Sequence, residues 1–145
     1  MDDKRYALLG DRGLLAVGGE DSRAFLQGLV SNDVTKVSPA HAVWAALLTP
    51  QGKFLHDFFI VEVAGALLLD CEAARLPDLK RRLGLYKLRA KVTIEDRSAD
   101  LAVAALFGAG ALAALDLPPG ASSARAVAGG VVLAEPRHLA IGAPA

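Results

Sequence analysis

Asp57 is the residue of this chain best placed to do chemistry, because its own strand hems it with apolar side chains. It lies in Phe54–Val61, FLHDFFIV, where period-two alternation sets Leu55, Asp57, Phe59 and Val61 on one face and Phe54, His56, Phe58 and Ile60 on the other. A carboxylate withdrawn from water is disfavoured in its charged form, so it is either hydrogen-bonded or kept for a ligand. Such a group can accept hydrogen bonds from a ligand amine, or orient a reacting nitrogen that approaches within about 3 Å. The plainer alternative is an aspartate held by backbone N–H groups or standing at a solvated sheet rim.

Trp44 supplies an aromatic surface for the same place. Thr49-Pro50-Gln51-Gly52 carries proline and glycine at the second and fourth positions of a type I turn, between two apolar strand-like runs. A hairpin closing on Leu48 and Lys53 sets Trp44 directly across from Asp57, with Cβ atoms about 5 Å apart. Lys53 does not neutralise the carboxylate, since four residues of strand span roughly 13 Å.

Other reactive groups are few. Cys71 is the only cysteine, which excludes an internal disulfide and any cysteine-clustered zinc or iron–sulfur site built by this chain alone. It reads as a buried, inert thiol. The three histidines are scattered, and no metal site is expected. Sixteen basic and sixteen acidic residues give zero formal net charge, so no global attraction to nucleic acid or to an anionic membrane is expected.

Two further motifs carry competing readings. Leu85–Ile94 alternates Tyr86, Leu88, Ala90, Val92 and Ile94 with Lys87, Arg89, Lys91 and Thr93, the pattern of a strand with one basic face. That face either guards a sheet edge or receives an anionic ligand tail. Gly108-Ala109-Gly110-Ala111-Leu112-Ala113 matches the G-x-G-x-x-A form of a dinucleotide-binding turn, with Glu135 at about the spacing of its acidic partner. The Pro-Pro-Gly break at residues 118–120 and a single following strand leave no room for that fold, and a glycine turn opening a packed helix is the alternative.

The elements that position these residues follow from periodicity. Tyr6–Leu9 and Leu14–Val17 flank Gly10-Asp11-Arg12-Gly13, a second hairpin signal. Asp21 or Ser22 caps a helix running to about Val30, with Phe25, Leu26 and Leu29 as its apolar stripe. Leu67–Leu69 make a strand ending at Asp70-Cys71, and a helix begins near Pro77 and ends at Gly84, burying Leu76, Leu79 and Leu83. Leu101–Phe107 is a strand, Ala109–Leu115 a helix, and another strand lies near Val131. Strands outnumber helices and tight hairpins join them, which predicts a mainly antiparallel α+β sheet with flanking helices. With 145 residues, 53% of them hydrophobic, the chain suits one domain that buries roughly two-thirds of its unfolded surface. The opening MDDKRYALLG lacks the apolar core of a signal peptide, and no apolar run reaches the ~20 residues of a membrane span, so a cytoplasmic location is expected.

Four stretches together, FLQGLVSNDV from Phe25, LLTPQGKFLHDFFI from Leu47, LLLD from Leu67 and LRAKVTIEDRSADLAVAALFGAGA from Leu88, resemble the front of the aminomethyltransferase (T-protein) superfamily of the glycine cleavage system. The match is nearest to its YgfZ-like branch of folate-binding iron–sulfur cluster assembly factors. The resemblance implies β-rich halves with flanking helices around a tetrahydrofolate pocket. Where T-proteins have two adjacent aspartates after the hairpin glycine, this chain has His56 and Asp57. By the same resemblance Trp44, Asp57, Phe59 and Asp70 are the cofactor-binding residues, and Asp57 is the catalytic candidate. Asp70 replaces the asparagine usual in T-proteins, which removes an amide donor and argues against unaltered T-protein chemistry.

The Lys-Gly-Cys-Tyr-x-Gly-Gln-Glu segment that marks the YgfZ-like branch is absent, and Cys71 does not occupy its cysteine position. Residues 1–145 are therefore expected to be the N-terminal portion of a folate-binding domain whose C-terminal half is missing. The resemblance implies a tetrahydrofolate-binding protein that assists iron–sulfur cluster assembly or maintenance, with iron–sulfur client or assembly proteins as partners, rather than a freestanding catalyst. A folate-dependent aminomethyl- or methyltransferase is the alternative, and a non-catalytic interaction module a further one.

Overall fold

The computed structural model describes residues 5–107, 124–127 and 130–133, with side chains described for residues 7–104. Its centre is a five-stranded antiparallel sheet in the order β3(Val43–Leu48), β4(Phe54–Val63), β5(Ala66–Glu72), β2(Arg12–Gly18), β6(Thr93–Asp96). Two smaller antiparallel pairs accompany it, β1(Arg5–Leu8) with β7(Ala104–Phe107) and β8(Ala124–Val127) with β9(Gly130–Leu133). Two α-helices are described, α1(Ser22–Gln27) and α2(Leu76–Lys87). This is the mainly antiparallel α+β arrangement expected from the sequence.

Alternation divides the sheet into two faces that do different work. Leu15 and Val17 of β2, Ala45 and Leu47 of β3, Phe58 and Ile60 of β4, and Leu67 and Leu69 of β5 all point to one side. There α1 adds Leu26, and α2 adds Leu76, Leu79 and Leu83, at a spacing that puts the three leucines on one helical stripe. Phe58, Ile60, Leu15, Leu69 and the α2 leucines are almost completely excluded from water, and each large apolar side chain buried this way contributes about 1.5–3 kcal/mol. The opposite face carries a smaller apolar cluster, Ala16, Ala42, Val61 and Leu68, and beside it stand Leu14 and Ala46 with the aromatic and acidic side chains of Trp44, Asp57, Phe59 and Asp70.

Three local expectations change. The Gly10–Gly13 turn does not make a hairpin: β1 pairs with β7, while β2 is a central strand with β5 on one edge and β6 on the other. Both edges of β2 are filled by strands distant in sequence, which leaves β1 to find a partner elsewhere. The long basic strand over residues 85–94 also gives way. Helix α2 continues through Gly84 to Lys87, and only Thr93–Asp96 is strand. Thr93 pairs with Gly18, the last residue of β2, and Gly19 turns away at φ +100° with Lys91 packed against it. Residues before Thr93 therefore have no strand left to pair with, so Lys87, Arg89 and Lys91 do not share a sheet face.

The third change concerns the hairpin register. Gly52 N–H donates to Thr49 O at 2.8 Å, and Thr49 N–H to Lys53 O at 2.7 Å, which closes the expected turn with Gly52 at φ +85°. Leu48 then pairs with Phe54, but Leu47 pairs with His56, so Leu55 is an extra residue in the outgoing strand. Leu55 packs against the main core instead of sharing a face with Asp57. Beyond this bulge Ala46, not Trp44, lies across from Asp57, and Trp44 lies across from Phe59.

Candidate functional site

Register now places the four residues singled out from the sequence. Trp44, Phe59 and Asp70 form one row across β3, β4 and β5, since Trp44 pairs with Phe59 and Phe59 with Asp70. Asp57 and Ala46 form the neighbouring row on the same face. The indole of Trp44 is thus a diagonal neighbour of Asp57, roughly 7 Å away at Cβ, and is not its direct partner. All four side chains belong to the face that the two helices leave uncovered, and Phe59 and Asp70 are buried there.

Asp57 is half-buried, and among the described residues its carboxylate has no hydrogen-bond or ion-pair partner. It opens onto a shallow recess, roomy enough for about one water molecule, at the end of β4 and β5, together with His56, Cys71, Glu72 and Arg75. Lys53 does not reach it, as its strand separation requires. Arg75 is committed to the strand end: it donates to Leu55 O, and its guanidinium lies 5.9 Å from the Phe54 ring centroid. The small Ala46 across the strand leaves room beside the carboxylate, where the expected tryptophan would have filled it.

Asp70 has a different environment. Arg12 Nε donates to Asp70 Oδ1 at 2.9 Å, and the same guanidinium donates to Asp70 O at 2.9 Å. Both side chains are largely buried, at 15% and 12% exposure, so the pair neutralises a charge that the sheet would otherwise enclose. Arg12 lies two residue pairs along, on the same face, from Asp70's own cross-strand neighbour, Leu14. The sequence pattern puts Arg12 in the Gly10–Gly13 turn. Its signal was there, as a lone cation heading a strand of otherwise apolar residues, but its partner needed the β2–β5 register.

His56 shows why one of the two adjacent positions is structural. It points to the opposite face, is nearly fully buried beneath α2, and its Nε2 lies 2.7 Å from Asp78 Oδ2. Asp78 also accepts from Arg81 at 2.8 Å and from Arg82 at 2.7 Å. These bonds, Arg82 foremost, then Arg81 and His56, hold the Asp78 carboxyl well below the usual carboxylate range. The network fastens α2 to β4 and aims Asp57, one residue on, outward.

Cys71 sits on the core side of β5, its Sγ 3.7 Å from Gly13 O, and burial pushes its thiol up to about 11. A thiol held protonated at neutral pH is a poor nucleophile and a poor metal ligand. Among the described residues no group of three or more histidine, cysteine, aspartate or glutamate side chains could hold a metal ion. Among them, too, no helix is long and apolar enough to cross a membrane. The glycine motif at residues 108–113 and the helix expected over 109–115 lie outside the described residues. The strand before them, β7, pairs antiparallel with β1, which differs from the parallel unit of a dinucleotide-binding turn.

The architecture is that of the glycine cleavage aminomethyltransferases. The crystal structure of aminomethyltransferase T from Bartonella henselae matches with a TM-score of 0.65 over 80% of this chain and 33% of that one, at 20% identity, a likeness of fold. No family model matches the chain. In sequence it is similar to proteins called iron–sulfur cluster assembly factor IBA57, mitochondrial. It is 36% identical over 109 residues to the homologue from Mycosarcoma maydis, covering 66% of this chain and 27% of that protein. The human protein is 37% identical over 101 residues, with 60% and 28% covered. The chain thus resembles the YgfZ-like iron–sulfur cluster assembly factors, as its motifs imply, and spans a little over a quarter of the length of these relatives.

Proposed function

We propose that the chain is the N-terminal portion of a tetrahydrofolate-binding protein that assists iron–sulfur cluster assembly or maintenance. One observation carries the reading: a half-buried carboxylate, Asp57, without a partner among the described residues, stands beside an aromatic row on the sheet face opposite the two described helices. A pterin has the complementary chemistry, a flat ring for Trp44 and Phe59 and amino N–H groups that a carboxylate accepts in pairs. Asp57 would hold those N–H groups, and Trp44 and Phe59 would flank the ring. Asp70, tied to Arg12, would shape the floor. When bound, tetrahydrofolate supplies a nitrogen that carries one-carbon units. Cluster assembly comes to this chain from the names of its relatives, so iron–sulfur client or assembly proteins are its proposed partners. The rest of the pocket is proposed to come from a C-terminal half bearing the lysine-glycine-cysteine segment. The reading places the protein in an aqueous compartment, either the cytoplasm expected from its N-terminal residues or the mitochondrion named for its relatives.

Trp44 is the only tryptophan and therefore a built-in reporter. Added tetrahydrofolate should quench its fluorescence saturably, and no saturable change would overturn the folate reading. A second reading, a folate-dependent aminomethyl- or methyltransferase in which Asp57 orients the folate nitrogen, is favoured by the aminomethyltransferase fold. Robust ammonia release from an aminomethyl-lipoyl carrier would decide for it.

A further inference from the structure

The end of α2 breaks two rules of a stable surface at once. Leu85, Tyr86 and Leu88 are 64%, 49% and 87% exposed, three of the six large hydrophobic residues that stand out in solvent among the described residues. Leu88 also has φ +43° and ψ −112°, close to the first corner of a type II′ turn, a conformation that glycine fills without strain and a leucine does not. Ala90 N–H donates to Lys87 O at 2.8 Å and closes that turn, so Leu88 and Arg89 are its two corner residues. A side chain held in a strained backbone without packing against the fold contributes nothing to stability that would offset its cost.

Charge gathers at the same place. Residues 76–91 contain six lysines or arginines and one acid, Asp78, on a chain of zero formal net charge. Asp78 is saturated by Arg81, Arg82 and His56, and Lys91 pairs with Glu20 at 3.0 Å. Lys87 and Arg89, on either side of Leu88, have no ion-pair partner among the described residues. The apolar stripe of α2, Leu76, Leu79 and Leu83, is spent in the core. What remains outside is a compact apolar knob flanked by cations, too small for the long amphipathic face that lies on a lipid surface. A tyrosine, an arginine and a projecting leucine are residues that anchor protein interfaces by filling a pocket.

We propose that the α2 terminus and its Lys87–Ala90 turn form a docking surface for an acidic protein partner, whose apolar pocket receives Leu88 and whose carboxylates meet Lys87 and Arg89. The proposal is independent of folate binding and lies on different residues. The probe is a synthetic peptide of glutamate pairs alternating with leucine pairs, titrated into the 15N-labelled protein and compared with its lysine-for-glutamate counterpart and with phosphatidylserine vesicles. Amide shifts should concentrate at residues 85–91, the basic peptide should bind at least tenfold more weakly, and Leu88→Gly and Arg89→Ser should each weaken the acidic peptide about tenfold. Leu88→Gly should keep or raise the melting temperature, because glycine relieves the strained turn. Shifts elsewhere, equal binding of both peptides, unchanged affinity in both variants, a lowered melting temperature of Leu88→Gly, or binding to vesicles alone would each overturn the proposal.

Discussion

Removing the Cys71 thiol tests whether this chain's one cysteine can take any part in cluster chemistry. Burial raises its thiol from 9.0 to about 11, and a pKa unit corresponds to about 1.4 kcal/mol, so the protonated thiol is favoured by folding on the order of 3 kcal/mol. The sign is that of a group whose folded pKa is raised: the contribution is complete below pH 9 and is lost as pH rises from 9 towards 11. Urea unfolding of the wild type and of Cys71→Ala across that range should show the difference in stability between them shrinking by this amount. Lysine and tyrosine titrations are common to both proteins and cancel. In parallel, a disulfide reagent at pH 8 should modify the native thiol about a hundredfold more slowly than a free cysteine, since the thiolate fraction falls in that proportion before access is counted. Parallel pH curves, or modification at the free-thiol rate, would refute the buried, protonated assignment and reopen Cys71 as a ligand.

The Arg12–Asp70 pair should contribute about 2 kcal/mol of coupling in a double-mutant cycle of Arg12→Met and Asp70→Asn, below the figure for fully enclosed pairs because both groups retain some exposure. Additive single effects would remove the pair from the account of how Asp70 is held. Asp78 carries a carboxyl held low by Arg82, Arg81 and His56, so its contribution is present above its ordinary pKa of 3.8 and is lost as pH falls through its folded value. Asp78→Asn should therefore unfold more readily at pH 7 and show a flatter stability profile below pH 4 than the wild type, measured by acid titration of the far-ultraviolet signal.

Local periodicity carried the sheet strands and the paired faces of β4 well, because both depend on residues near in sequence. It puts Asp57 and Phe59 on one face of a strand and Trp44 on the facing strand, and the register adds Asp70 to that face. It missed what distant chain segments decide. The bulge at Leu55 puts Trp44 two residue pairs from Asp57, in the next row of the same face, and nothing in FLHDFF distinguishes a bulged strand from a regular one. Residues 85–94 alternate as cleanly as any strand, yet β2 ends opposite Thr93, and helix α2 claims the first three positions. Arg12 meets Asp70 across 58 residues of sequence, a distance at which no spacing rule operates. The hidden part of the site is thus its aromatic row, its ion pair and its recess, and the legible part is its carboxylate and the identity of the aromatic residues near it.

Asp57 as a ligand-holding carboxylate is tested most directly by isothermal titration of the protein with tetrahydrofolate, wild type against Asp57→Asn. The substitution preserves shape and removes the charge, and should weaken binding by about a factor of ten, which is about 1.4 kcal/mol. Equal affinity of the two proteins would contradict the claim and take Asp57 out of the site.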